Sequence, residues 1–236
     1  MKVGLTTILL LLALLSWGQT SSSIIFYYPE EWPTLYDEPP FDMTLPFVGI
    51  YPDKEWKSYT SRNFNVRDTT VEDQSLGTTT KLVIDSAGPL FIVSGIKGLK
   101  HNKNIPGMST GRKKIIPGTS VSHKLGTKSY LIFATGEINK ESKRIENYKV
   151  FVRKVENNQK VEQLLFSLDA LSPWYDGYEG GGVLRWVGDL NGDNELDLIM
   201  STSHDYRAME VILLMSPGKE KNLVEEAGRY FWGAPN

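Results

Sequence analysis

Short runs of Val, Ile, Leu, Phe and Tyr recur along this chain, each closed by Gly, Pro, Asn or Asp, and that punctuation reads as consecutive β-strands. The clearest runs cover residues 81–85, 90–94, 129–135, 148–155, 161–168, 183–187, 196–201 and 209–215. Runs 148–155 and 161–168 flank the polar stretch 156–160, a connection of hairpin length. No long run has a convincing helical period, although residues 219–227 suit either a short helix or a last strand. Nothing recurs at a fixed spacing, so a solenoid or propeller is not expected. The pattern predicts a mainly β chain, an antiparallel β-sandwich or barrel-like single domain with few or no helices after the N-terminal segment.

That N-terminal segment has a different character. Lys2 is followed by an unbroken apolar run from Ile8 to Leu15, and Ser16 and Gly18 supply small residues at the −3 and −1 positions of a cleavage site. Residues 1–18 are therefore expected to be a signal peptide, and the run is too short to span a bilayer, which takes about 20 apolar residues. Residues 19–42 carry Pro29, Pro33, Pro39 and Pro40 among aromatic and acidic residues, which predicts an extended arm rather than a helix or central strand. Residues 43–236 are left as the β domain. The expected destination is the periplasm or the extracellular space.

Charge narrows the partners. The 236 residues hold 26 Lys+Arg and 28 Asp+Glu, a formal net charge of −2, which provides neither the footprint of a general nucleic-acid binder nor a polybasic membrane patch. With no cysteine, disulfides, thiol chemistry and a lipid anchor at the cut site are all excluded, and stability must come from core burial. Residues 95–128 contain Lys and Arg but no Asp or Glu. This stretch is expected to form a pair of solvated loops, with a face for an acidic ligand as the alternative.

One motif carries chemistry. Residues 189–197 read Asp-Leu-Asn-Gly-Asp-Asn-Glu-Leu-Asp, with oxygen side chains at loop positions 1, 3, 5 and 9 and a backbone carbonyl available at position 7. A hard cation such as calcium takes six to eight oxygens at about 2.3–2.6 Å, and alternate residues of a tight loop can all face inward. Asp189, Asn191, Asp193 and Asp197 are the side-chain candidates, the Glu195 carbonyl is the fifth ligand, and Gly192 permits the turn. The calcium expected here is one ion in a structural role. An EF-hand is excluded, because position 12 is Met200 rather than Glu and the flanking residues read as strands.

The stretch Trp186-Val187-Gly188-Asp189-Leu190-Asn191-Gly192-Asp193, followed by Asp197-Leu198-Ile199, resembles the calcium loop of integrin α-chain FG-GAP repeats and bacterial VCBS-type repeats, and its single-copy versions in small secreted bacterial proteins. The resemblance implies calcium ligands at Asp189, Asn191, Asp193, Glu195 through its backbone, and Asp197. It covers about 15 residues in one copy, so it implies the loop and not a propeller. The usual glycine at loop position six is Asn194 here, a residue that tolerates the left-handed conformation.

The remaining candidates are weaker. His101, His123 and His204 show no zinc spacing, and no nucleophile elbow, P-loop or dinucleotide fingerprint is present. Trp174, Tyr175 and Tyr178 lie on the Gly-rich segment 172–182 and form a candidate sugar platform, with packing on the domain end as the alternative. Asp176, Glu179 and His204 would serve a hydrolase of an extracellular polymer. The sequence thus favours an exported, non-catalytic binding or scaffold protein whose partner is an extracellular or periplasmic protein or glycan. A glycan hydrolase or carbohydrate-binding protein is the alternative.

Overall fold

A run such as 196–201 or 209–215, apolar at nearly every position, can be buried as a strand only if both of its faces are covered. The computed structural model of the chain satisfies this requirement with stacked antiparallel sheets. It describes residues 25–27, 35–36, 45–56, 58–64, 67–73, 77–83, 89–142, 144–171, 181–202, 208–218 and 222–233.

In chain order the strands are β1 (Ile25–Tyr27), β2 (Leu35–Tyr36), β3 (Phe47–Pro52), β4 (Tyr59–Phe64), β5 (Arg67–Asp73) and β6 (Gly77–Val83). Next come β7 (Phe91–Ser94), β8 (Asn104–Ile105), β9 (Gly107–Lys114), β10 (Ser120–Leu125), β11 (Lys128–Asn139) and β12 (Arg144–Glu156). The last are β13 (Gln159–Leu171), β14 (Val183–Gly188), β15 (Asp197–Ser201), β16 (Ala208–Met215) and β17 (Glu225–Gly233). Among the described residues there is no helix, and so none long and apolar enough to cross a membrane.

Four sheets form, in the orders β1-β7-β3-β4-β8, β10-β11-β12-β13, β17-β16-β15-β14-β9 and β2-β6-β5. The third is the middle layer. Along β15, Leu198 and Met200 join one core with Tyr130, Ile132, Val150 and Val152 of the second sheet, while Ile199 joins another with Ile50, Tyr59 and Phe91 of the first. Along β16 the same alternation sends Ile212 and Leu214 one way and Val211 and Leu213 the other. Successive strand side chains point to opposite faces, so an apolar residue at each position is what a sheet covered on both sides requires.

The second core centres on Trp186, which is fully buried and meets Tyr59 and Phe91 edge-on at centroid distances of 6.1 and 5.7 Å. Two glycines make room for its indole: a Cβ on Gly107 or on Gly188 would stand 2.5 Å from Trp186 Cζ2.

The expected hairpin is present as β12 and β13. Glu156 pairs with Gln159, so the connection tightens to Asn157-Asn158, whose φ angles of 49° and 62° give the doubly left-handed turn that matches strand twist. The candidate last strand over 219–227 begins later, at Glu225. The expectation of loops across 95–128 needs correction. That stretch contains β8, β9 and β10, with β9 paired to β14 and β10 to β11. β9 has the sequence GMSTGRKK and little intrinsic strand preference; its pairing with the buried β14 makes it a strand. Within the predicted arm 19–42, β1 pairs with β7 and β2 with β6, each at a sheet edge. The predicted signal peptide lies outside the described residues.

Candidate functional site

β14 and β15 are antiparallel neighbours of the middle layer, and residues 189–196 connect them at one end. Gly188, the residue before the loop's first position, pairs with Asp197 at its ninth, which closes the loop at its base. The Asp189 amide donates to the Pro106 carbonyl at 2.9 Å, which carries the β9–β14 ladder one step into the loop.

Asp189 organises the turn. Its Oδ1 accepts from the amides of Gly192 (2.7 Å) and Asp193 (3.1 Å), and its Oδ2 accepts from the Asn194 amide (2.9 Å). Gly192 and Asn194 have φ angles of 79° and 60°, so the tolerance expected of Asn at position six is used. Asn191 Oδ1 accepts from the Asp193 amide, its Nδ2 donates to Asp193 Oδ2, and Asp193 Oδ1 accepts from the Glu195 amide at 2.8 Å.

Asp197 is fully buried at the base, where its Oδ2 accepts from the Leu190 amide at 2.6 Å and its Oδ1 from the Ser216 amide at 3.0 Å. Burial pushes its carboxyl up to about 7 from the usual 3.8; the two amides oppose this, and the charges of Asp193 and Asp189 add to it. Asp189 and Asp193 are thus close enough for their charges to act on Asp197. Among the described residues no Lys, Arg or His forms an ion pair with any of the three.

Glu195 behaves differently. Its side chain turns away from the loop, accepting from Lys128 Nζ and Tyr130 Oη, each at 2.5 Å, and from Lys154 Nζ at 3.2 Å. Burial works against its charge, but these three donors outweigh burial and hold the carboxyl below its usual range. The Glu195 side chain is thus engaged by the second sheet, and the role expected at position 7 falls to its backbone carbonyl alone.

The donor set fits a hard cation in kind: three carboxylates, one amide oxygen and one carbonyl. Among the described residues, no three acidic or histidine side chains converge as a group that would hold a metal ion. The amides that Asp189 and Asp197 accept do not preclude coordination, since each carboxylate oxygen has about two lone-pair directions.

Two contributors had no signal in the loop sequence. Ser216, just after β16, donates its hydroxyl to Asp193 Oδ2 at 2.5 Å and its amide to Asp197. Lys128 adds a bond from its Nζ to the Asn194 carbonyl at 2.8 Å. Lys128, on β11, reaches the loop through the stacking of the second sheet on the middle layer, and Ser216 through the pairing of β16 with β15. Trp174, Tyr175 and Tyr178, with Asp176, Glu179 and His204, lie outside the described residues. Compared with family models, curated proteins and solved structures, the chain matches none of them.

Proposed function

We propose that this is an exported β protein that holds one structural calcium ion in the loop 189–197 and serves a non-catalytic binding or scaffold role. The observation that carries the reading is the charge imbalance at the loop: fully buried Asp197 stands beside Asp189 and Asp193, and no cationic side chain pairs with any of them among the described residues. Burying carboxylates without a counter-charge is costly, and the nearby lysines are engaged by Glu195 instead.

Asp189, Asn191, Asp193 and Asp197 supply side-chain oxygens and Glu195 its carbonyl. Bound calcium supplies the missing positive charge and joins the ends of β14 and β15, with an affinity on the order of 0.1–1 mM as in extracellular modules. The resemblance of the loop to FG-GAP and VCBS-type calcium loops supports the same ligand set. Export rests on the apolar segment before Gly18. The partner belongs to the same compartment, as a protein or a glycan.

The test is thermal unfolding with calcium, magnesium or chelator, repeated on Asp193→Ala. The reading requires a rise specific to calcium that the variant loses. An unchanged response in the variant, or none in the wild type, removes it.

A further inference from the structure

Beside the loop lies a cleft that the calcium reading leaves without a role. Its outer wall is the connection between β7 and β8, residues 95–103, which belongs to the stretch with no Asp or Glu and carries Lys97, Lys100 and Lys103. Ser61 on β4 fixes the backbone of this connection from beneath. Its hydroxyl donates to the Lys100 carbonyl at 2.5 Å, its amide donates to the Lys103 carbonyl at 3.1 Å, and the amides of Asn102 and Lys103 donate back to its two oxygens at 2.8 and 3.1 Å. The backbone is satisfied and held while the lysine side chains stand exposed. Among the described residues no carboxylate forms an ion pair with Lys97, Lys100 or Lys103.

The same connection is pressed against the calcium loop. A Cβ on Gly98 would stand 2.9 Å from the Asn191 carbonyl oxygen, and the Gly98 φ of 92° is one that a side chain disfavours. Between the two walls is a volume of about 330 Å³ lined by Leu99, Lys100, Lys103, Ile105, Asp189 and Asn191. That is the size of a small-molecule site, lined by Lys100, Lys103, Asn104, Asp189 and Asn191 together with half-buried Leu99. Asp189 is shared between this cleft and the loop.

We propose that the cleft binds a uronate unit of an acidic glycan, with Lys100 and Lys103 holding its carboxylate and half-buried Leu99 receiving the sugar ring. The inference rests on the calcium reading. Without a cation the loop aspartates set a net negative charge beside the cleft that opposes an anion; a divalent ion offsets it and leaves the lysines dominant. Binding of the uronate is therefore calcium-dependent. An acidic peptide fits less well, because the edge strand beside the cleft, β8, is two residues long and the ladder beyond it is already taken by Asp189, so an extended chain finds no edge to pair with.

Isothermal titration of the protein with trigalacturonate tests this, in calcium and in chelator, against neutral galactotriose and hexaglutamate. The double variant Lys100→Glu/Lys103→Glu is run in parallel, with its calcium-induced thermal shift recorded to show that it folds and loads normally. The expected result is binding of trigalacturonate in calcium, at least tenfold weaker in chelator and in the double variant, with no binding of galactotriose. No binding in calcium, equal binding of hexaglutamate, or an unaffected double variant overturns the proposal. If wild type keeps its calcium-specific thermal shift but ignores the sugar, the cleft inference fails and the calcium site stands. If the sugar binds equally in chelator and no calcium shift occurs, the calcium reading and the coupling fail together.

Discussion

Tyr130 on β11 donates its phenolic hydroxyl to Glu195 Oε2 at 2.5 Å, across 65 positions of sequence. The bond ties the second sheet to the loop at the end of the middle layer, on the residue whose carbonyl is the proposed position-7 ligand. Lys128, two residues before Tyr130, holds both the Glu195 carboxylate and the Asn194 carbonyl. Burial, and then the bond to charged Glu195, raise the Tyr130 pKa well above the ordinary phenol, so this donor stays protonated at any physiological pH.

Tyr130→Phe should therefore lower stability by about 1.5–3 kcal/mol, the range for a hydrogen bond to a charged group. It should also weaken calcium binding severalfold, since the loop loses one of its anchors while its charge is unchanged. Urea unfolding in chelator reads the first effect and calcium titration the second. A variant with reduced stability and unchanged calcium affinity would show that the bond supports packing alone.

For Asp193→Ala the calcium response should vanish. A ligand present at about ten times its dissociation constant stabilises by about 1.4 kcal/mol, which in a chain of this size is a shift of roughly 3–6 °C. In chelator the same substitution should cost little or raise stability slightly, because one of the charges acting on buried Asp197 is removed. Differential scanning with and without calcium separates the two signs.

His123 sets a pH limit. Its Nε2 is buried on β10 with no hydrogen-bond partner among the described residues, and burial lowers its pKa below the usual 6.5. The unfolded chain then takes up a proton before the folded one does. The associated stability is fully present above about pH 6.5 and is lost as pH falls from there through the folded pKa. Urea midpoints for wild type and His123→Gln between pH 7.5 and 5 should diverge on the acid side, with the wild type falling more steeply. Parallel curves would assign the acid sensitivity to another group.

Gly107→Ala should destabilise by about 1–3 kcal/mol, the range for overpacking a filled core, since the new methyl meets Trp186 Cζ2 at 2.5 Å. Gly192→Ala meets nothing within 4 Å, and its cost of about 1–2 kcal/mol comes from the left-handed backbone alone. Gly192→Asn should recover part of that cost, whereas Gly107→Asn should be worse than Ala. Denaturant midpoints of the four variants check both halves of the argument.

What the sequence determined by itself is local. Period-two and apolar runs such as 148–155 and 183–187 declare strands, and the polar stretch 156–160 declares a hairpin between 148–155 and 161–168, because both depend on dihedral preferences and side-chain alternation within a few residues; the Asn157-Asn158 turn itself is set by the register of β12 with β13. The spacing of Asp189, Asn191, Asp193 and Asp197 is likewise readable at short range, as is the left-handed capacity of Gly192 and Asn194. Partner choice was decided only by the tertiary structure. Nothing in GMSTGRKK announces β9, since the buried strand β14 selects it. The apolar runs in β15 and β16 were legible as strands, but not as members of a layer with a core on each side, because which sheets cover them depends on chain from Val48 to Leu171, well outside either run. Lys128 and Tyr130 reach the 189–197 loop through the stacking of the second sheet on the middle layer, and Ser216 through the pairing of β16 with β15; both arrangements optimise buried area over the whole molecule rather than any pattern written in one segment.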